Sequence, residues 1–193
     1  MDMDIDFLDF SFYTVDSSYL QYLNSKDSEV YYHPNYNSTY KPFVGIMIGI
    51  GNYKYAIPLS SAKVKHRKWN NTSNSHFLIY EYVDENVNFP NDVYKDPVNG
   101  KKMHILAILD IKKMIPVIDG VCTKIEFATL DQQYQDLFTK EYNFCLNIKE
   151  KILSKATKLY LKQKTENRVL FSYCDFTKLE LASDNYFQKN MVE

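Results

Sequence analysis

The sequence predicts an α+β fold, a mainly antiparallel sheet followed by a helical region, and three observations carry that expectation. Short apolar and aromatic runs of strand length recur up to Ile118, broken by Gly, Asn, Asp and Pro. Two of them, residues 43–50 and 53–59, are separated by Gly51-Asn52 alone, a pair that accepts the positive φ of a two-residue hairpin. From Asp131 to about Lys164 the apolar side chains instead recur at helical spacing. Strands first and helices afterwards point to α+β, not to alternating βαβ units.

The elements follow in order. Residues 1–9 alternate Asp with apolar side chains and read as a loose extension of a single domain spanning 1–193. Residues 10–15 form a β-rich run, and Asp16-Ser17-Ser18 offers an N-cap to a helix carrying Tyr19, Leu20, Tyr22 and Leu23. Residues 26–41 are polar, rich in Tyr and contain Pro34, so they read as a long loop of the kind that often carries function. After the hairpin come a strand at 76–83, a surface loop over 84–102 and a buried-type strand at 104–109. A short basic turn (110–113) and an apolar run (114–118) follow, with Pro116 suited to an edge or a strand entry. Tyr134, Leu137, Phe138, Cys145, Ile148, Ile152, Ala156 and Leu159 share one helical face, read as one helix or as two joined by a bend near Ser154. Its lysines, Lys155 among them, read as a solvated face. Asp175 is placed to cap a last helix over 176–182.

Composition narrows the function. A hydrophobic content of 45% argues against extensive disorder, and a net charge of −1 means that nucleic-acid binding has to come from a patch. The 17 tyrosines suit stacking on bases, or simply an AT-rich coding sequence. Cys122, Cys145 and Cys174 are odd in number and far apart, and His33, His66, His76 and His104 are scattered. Neither a metal site, a cofactor nor a disulfide framework is expected, and a reducing cytoplasm is the default compartment. The N-terminus lacks the basic and apolar regions of a secretion signal, and no apolar run reaches membrane-spanning length, so a soluble protein is expected. Phosphate-binding glycine loops and the GxSxG elbow are absent from the sequence.

The strongest functional signal is YKYAIPLSSAKVKHRKW, residues 53–69. An apolar strand ends in Ser60-Ser61, and Lys63, Lys65, Arg67 and Lys68 follow, with His66 among them and Trp69 at the end. Hydroxyls and cations delivered to one spot suit a phosphate. RNA carries its own nucleophile, the 2′-hydroxyl, so its cleavage calls for charge stabilisation at the phosphate, a proton acceptor and a proton donor. Ser61 and Lys63, two residues apart, share a face if extended backbone persists, and Ser60 then points to the other face or caps the turn. The same residues also fit plainer roles: a Ser-Ser turn or cap, a surface histidine, a tryptophan that anchors the core.

Four segments resemble the ToxN/AbiQ family of type III toxin–antitoxin endoribonucleases: FYTV (12–15), KPFVGI (41–46), KYAIPLSSAK (54–63) and LDIKKMIPV (109–117). A helical C-terminal region with a Cys-Asp-Phe-x-x-Leu segment, Cys174 to Leu179, extends the resemblance over nearly the whole chain. The resemblance implies a strongly twisted antiparallel sheet flanked by helices and related to the Kid/MazF toxin fold. It implies metal-independent RNA cleavage that leaves 2′,3′-cyclic phosphate and 5′-hydroxyl ends, in defence against phage. It also implies inhibition by a short tandem-repeat antitoxin RNA, which the toxin processes and with which it assembles into a protein–RNA oligomer. The family's hydroxyl pair and lysine map onto Ser60, Ser61 and Lys63. Its loop tyrosine maps onto Tyr36, with Tyr40 as the other candidate, and its loop lysine onto Lys41. This chain differs in having Ser at the first hydroxyl position, a longer basic run before Trp69 and an insertion around 84–102.

The expectation is therefore an endoribonuclease toxin. Ser61 and Lys63 would grip the scissile phosphate, Ser60 would support them, and Tyr36 would orient the sugar or move a proton. Tyr40, Lys41, Lys65, Arg67, Lys68 and Trp69 would hold RNA, whether cellular or phage substrate or the antitoxin. The alternatives are a non-catalytic RNA-binding module and, with no helix-turn-helix pattern to support it, a DNA-binding regulator.

Overall fold

The hairpin whose strands meet at Ile50 and Tyr53 is the centre of the sheet. In the computed structural model, which describes residues 9–34, 45–50 and 52–190, β1 (Asp9–Val15), β2 (Gly45–Ile50) and β3 (Tyr53–Ser61) are successive antiparallel neighbours. β2 and β3 pair from Ile50 opposite Tyr53 to Gly45 opposite Pro58. The chain continues through β4 (Phe77–Asp84), β5 (Val93–Tyr94), β6 (Lys101–Leu109), β7 (Ile115–Val117) and β8 (Cys122–Lys124). Every pairing is antiparallel, in the order β4-β6-β3-β2-β1-β8, with β5 added to β6 and β7 to β3.

β3 belongs to two neighbourhoods at once. One edge pairs with β2 throughout, while the other is divided: Lys54–Ala56 pair with β7, and Leu59–Ser61 pair with β6. The strand thus runs out from the main core and delivers its last residues to a second group of strands.

Helices cover the sheet. α1 (Ser17–Lys26) starts as expected, with the Asp16 carboxylate accepting from the Tyr19 N–H at 3.0 Å. α2 (Gln132–Asn147) and α3 (Lys149–Glu166) break at Ile148, earlier than Ser154. There the backbone turns to φ −115° and ψ 16°, and the Ile148 N–H falls back to the Cys145 carbonyl at 3.1 Å. The turn lets Cys145 and Ile152 both enter the core. α4 (Phe176–Asn190) begins under the Asp175 carboxylate, which accepts from the Lys178 N–H at 3.0 Å. It runs past Ala182 because Tyr186 still has aromatic neighbours, Tyr19 and Tyr22, with ring centroids 5.0 and 5.1 Å away.

The main core joins Phe12, Tyr19, Tyr55, Ile57, Leu109, Phe138 and Phe176. A smaller cluster of Leu78, Val93, Ile105 and Ile108 lies on the other side of the β4–β6 strands, with Ala62 and Trp69 packed on it. Several tyrosines are structural: Tyr19 donates to the Pro116 carbonyl at 2.9 Å, and Tyr55 and Tyr160 both donate to Glu180, at 2.7 and 2.9 Å. Two expectations need correction. The 84–102 loop contains β5 and the start of β6, where buried Lys102 lies 4.2 Å over the Tyr94 ring. Lys155 leaves the solvated face and donates to the carbonyls of Asn71, Ser73 and His76.

Candidate active site

Ser60 and Ser61 are the last two residues of β3 and sit on opposite faces of it, because adjacent strand residues alternate. Residues paired directly across strands share a face. Ser61 pairs with Ala107, which belongs to the main core with Phe138, so it looks toward α2. Ser60 pairs with Ile108 of the smaller cluster and looks toward the Trp69 side. Lys63 keeps an extended backbone, φ −133° and ψ 154°, which returns its side chain to the Ser61 face.

All three residues border one cleft of about 680 Å³. Lys65, Lys112 and Lys113 add cations to its walls, and Asp110 and Glu141 add carboxyl groups. Lys112 is steadied by Ser172, to which it donates at 3.2 Å, and Lys113 by Glu29, whose carbonyl accepts at 2.9 Å and whose carboxylate forms an ion pair with it. Asp110 accepts from the Tyr31 hydroxyl at 2.7 Å, while its second oxygen has no partner among the described residues. Burial raises its carboxyl pKa, against the pull of the Tyr31 bond and of Lys112 and Lys113.

The turn after β3 is held by aromatic rings. His66 is buried, not a surface histidine, and its Nδ1 accepts from the Lys63 N–H at 2.9 Å. Burial, reinforced by Lys65 and Lys63, lowers its pKa to about 4, so the ring is neutral at pH 7. Trp69 lies between His66 and His76, with ring centroids 4.5 and 4.4 Å away. That is an anchor's environment, although part of the indole still borders the cleft. Lys65 and Lys68 are exposed, and Arg67 is drawn to Asp96 at 2.9 Å. Tyr36, Tyr40 and Lys41 lie outside the described residues. Among the described residues, no group of three or more His, Cys, Asp or Glu side chains is placed to hold a metal ion.

Residues 11–184 match the model of the ToxN toxins of type III toxin–antitoxin systems. The chain belongs to the ToxN family. Its relatives include the endoribonuclease ToxN of Pectobacterium atrosepticum, 29% identical over 86% of this chain and 94% of that protein. The endoribonuclease AbiQ of Lactococcus lactis subsp. lactis is 27% identical over 94% of this chain and 92% of its own length. Two solved structures share the fold. One, from a bacterial antiviral system regulated by a processed non-coding RNA, has a TM-score of 0.69 and 25% identity over 91% of this chain and 98% of that one. The other, from a study of selective toxin inhibition by a non-coding RNA pseudoknot, has a TM-score of 0.66 and 25% identity over 92% and 97%.

In this ToxN-family chain, sequence reasoning named the β3 exit and not the other walls of the cleft it borders. Tyr31, Asp110, Glu141 and Ser172 reach the cleft from four distant segments. For Glu141 a signal existed: it falls three residues after Phe138 and four before Cys145, on the apolar face of α2 and not its polar one. No helix among the described residues is long and apolar enough to cross a membrane.

Proposed function

We propose that this ToxN-family chain is a metal-independent endoribonuclease that cuts RNA by attack of its own 2′-hydroxyl, leaving 2′,3′-cyclic phosphate and 5′-hydroxyl ends. One observation carries the reading: Ser61 and Lys63, the end of β3 and the second residue beyond it, border the same lysine-lined cleft. Lys63 and the Ser61 hydroxyl bind the non-bridging phosphate oxygens, where charge builds up as the phosphorane forms. Ser60 supports the strand exit from the other face. The family's sugar-orienting tyrosine is Tyr36 or Tyr40. The naming of relatives as endoribonucleases supports the activity, and RNA regulation and inhibition in the two similar systems support a non-coding antitoxin RNA as the partner. The toxin processes that tandem-repeat RNA and acts in the cytoplasm against phage infection.

The deciding experiment incubates purified protein with RNA in EDTA and analyses the new ends. Cleavage with cyclic phosphate and 5′-hydroxyl termini is expected. A 5′-phosphate, or activity that returns only with Mg²⁺, would overturn the mechanism, and a mobility shift without cleavage would reduce the chain to an RNA-binding module.

A further inference from the structure

Glu141 is the least expected side chain in the cleft. It stands on α2, the helix toward which Ser61 looks, and is only 4% exposed. It has no hydrogen-bond or ion-pair partner among the described residues, yet it borders the same cleft as Ser61 and Lys63. Its nearest charged helix neighbour, Lys140, is turned away to Glu81 of β4 at 2.9 Å. A carboxyl group buried without a partner costs stability, and nothing in the packing around Phe138 and Cys145 requires one there.

We propose that Glu141 is the proton donor to the leaving group in RNA cleavage, acting from the wall opposite Ser61 and Lys63. This rests on the transesterification reading above. Burial pushes its carboxyl pKa up to about 8, with no neighbouring charge to offset it, so the group carries its proton at neutral pH. In the step, the 2′ oxygen forms a bond to phosphorus and gives its proton to a water in the cleft. The bond from phosphorus to the 5′ oxygen breaks, and that oxygen takes the proton of Glu141. The resulting carboxylate recovers a proton from solvent, so no net proton is consumed. A buried acid suits this task, because its surroundings favour the neutral, proton-carrying form until the leaving oxygen needs it.

The test replaces the leaving group. The wild-type cleavage site is first mapped, and two oligonucleotides of that sequence are made, one natural and one with sulfur in place of the scissile 5′ oxygen. A departing thiolate needs no proton. Glu141→Gln should cut the natural RNA about 100-fold more slowly than wild type, the scale of a lost general acid. The same variant should cut the sulfur substrate within about tenfold of wild type, since that step no longer needs an acid. Equal losses on both substrates, or no loss on either, would overturn the role of Glu141 while leaving the reaction itself standing. A 5′-phosphate product from the wild type would overturn the reaction and this role together. Circular dichroism checks the fold of the variant, and if the glutamine does not fold, Glu141→Asp carries the comparison, its shorter acid slowing the natural substrate more than the sulfur one.

Discussion

The backbone N–H of Lys63 donates to Nδ1 of His66 at 2.9 Å, so the lysine proposed to grip phosphate is positioned by the imidazole three residues on. The bond requires a neutral ring with its proton on Nε2. Burial, reinforced by Lys65 and Lys63, maintains that state by lowering the pKa to about 4. His66→Gln should therefore retain cleavage within about tenfold, whereas loss of a proton carrier costs ~10²–10⁴-fold.

The same histidine gives stability a pH dependence. The unfolded chain takes up a proton as pH falls past the ordinary histidine value of about 6.5, while the folded ring declines it until about 4. Stability is fully present above this window and declines as pH falls through it. Burial lowers the pKa of His76 as well and adds in the same direction. Urea unfolding between pH 7 and 5 should show wild type losing more stability than His66→Gln over that range. Parallel curves would show that His66 is not buried neutral.

Ser61 is exposed at a strand end, so removing its hydroxyl should affect chemistry and not folding. Ser61→Ala is expected to lower the cleavage rate by about 100-fold, as loss of a charge-stabilising donor does. Its unfolding free energy should stay within about 0.5 kcal/mol of wild type. Toxicity in growing cells and a thermal melt read the two effects separately.

RNA affinity should report which lysines meet phosphate. Lys65→Ala and Lys68→Ala should each reduce the slope of log K against log salt by about 0.7, one phosphate contact on a single strand. Arg67→Ala should reduce it less, because Arg67 already has Asp96 at 2.9 Å. Filter binding across a salt series with a cleavage-deficient background measures this.

Lys155 donates to the carbonyls of Asn71, at 2.8 Å, of His76, at 3.3 Å, and of Ser73. Lys155→Met removes both the donor and the ammonium that lies 3.8 Å over the Phe77 ring, leaving these carbonyls short of partners. A loss of about 2–3 kcal/mol is expected by calorimetry.

The legible parts of this protein were those decided within a few residues. The caps at Asp16 and Asp175 announce themselves because each carboxylate acts on backbone three positions away, and the hairpin because two residues alone separate its paired strands, Ile50 lying opposite Tyr53. The break at Ile148 has no local sign, since either Ile148 or Ser154 leaves an amphipathic pattern, and the docking of Cys145 and Ile152 decides between them. β8 is the polar triplet Cys122–Lys124, and only the open edge of β1 makes it a strand. The site divides in the same way. Ser60, Ser61 and Lys63 stand close in sequence on a strand and its exit, whereas Asp110 and Glu141 acquire meaning from the walls they are folded into.

The divided edge of β3 also ties the candidate site to segments made long after it. Ser60 and Ser61 gain their strand partners only when β6 is in place, and the cleft is closed by side chains as late as Ser172. A chain still emerging from the ribosome carries the hydroxyls and lysines of its cutting edge long before it has the opposite wall. The cleft is thus incomplete until Ser172 has been made and folded in.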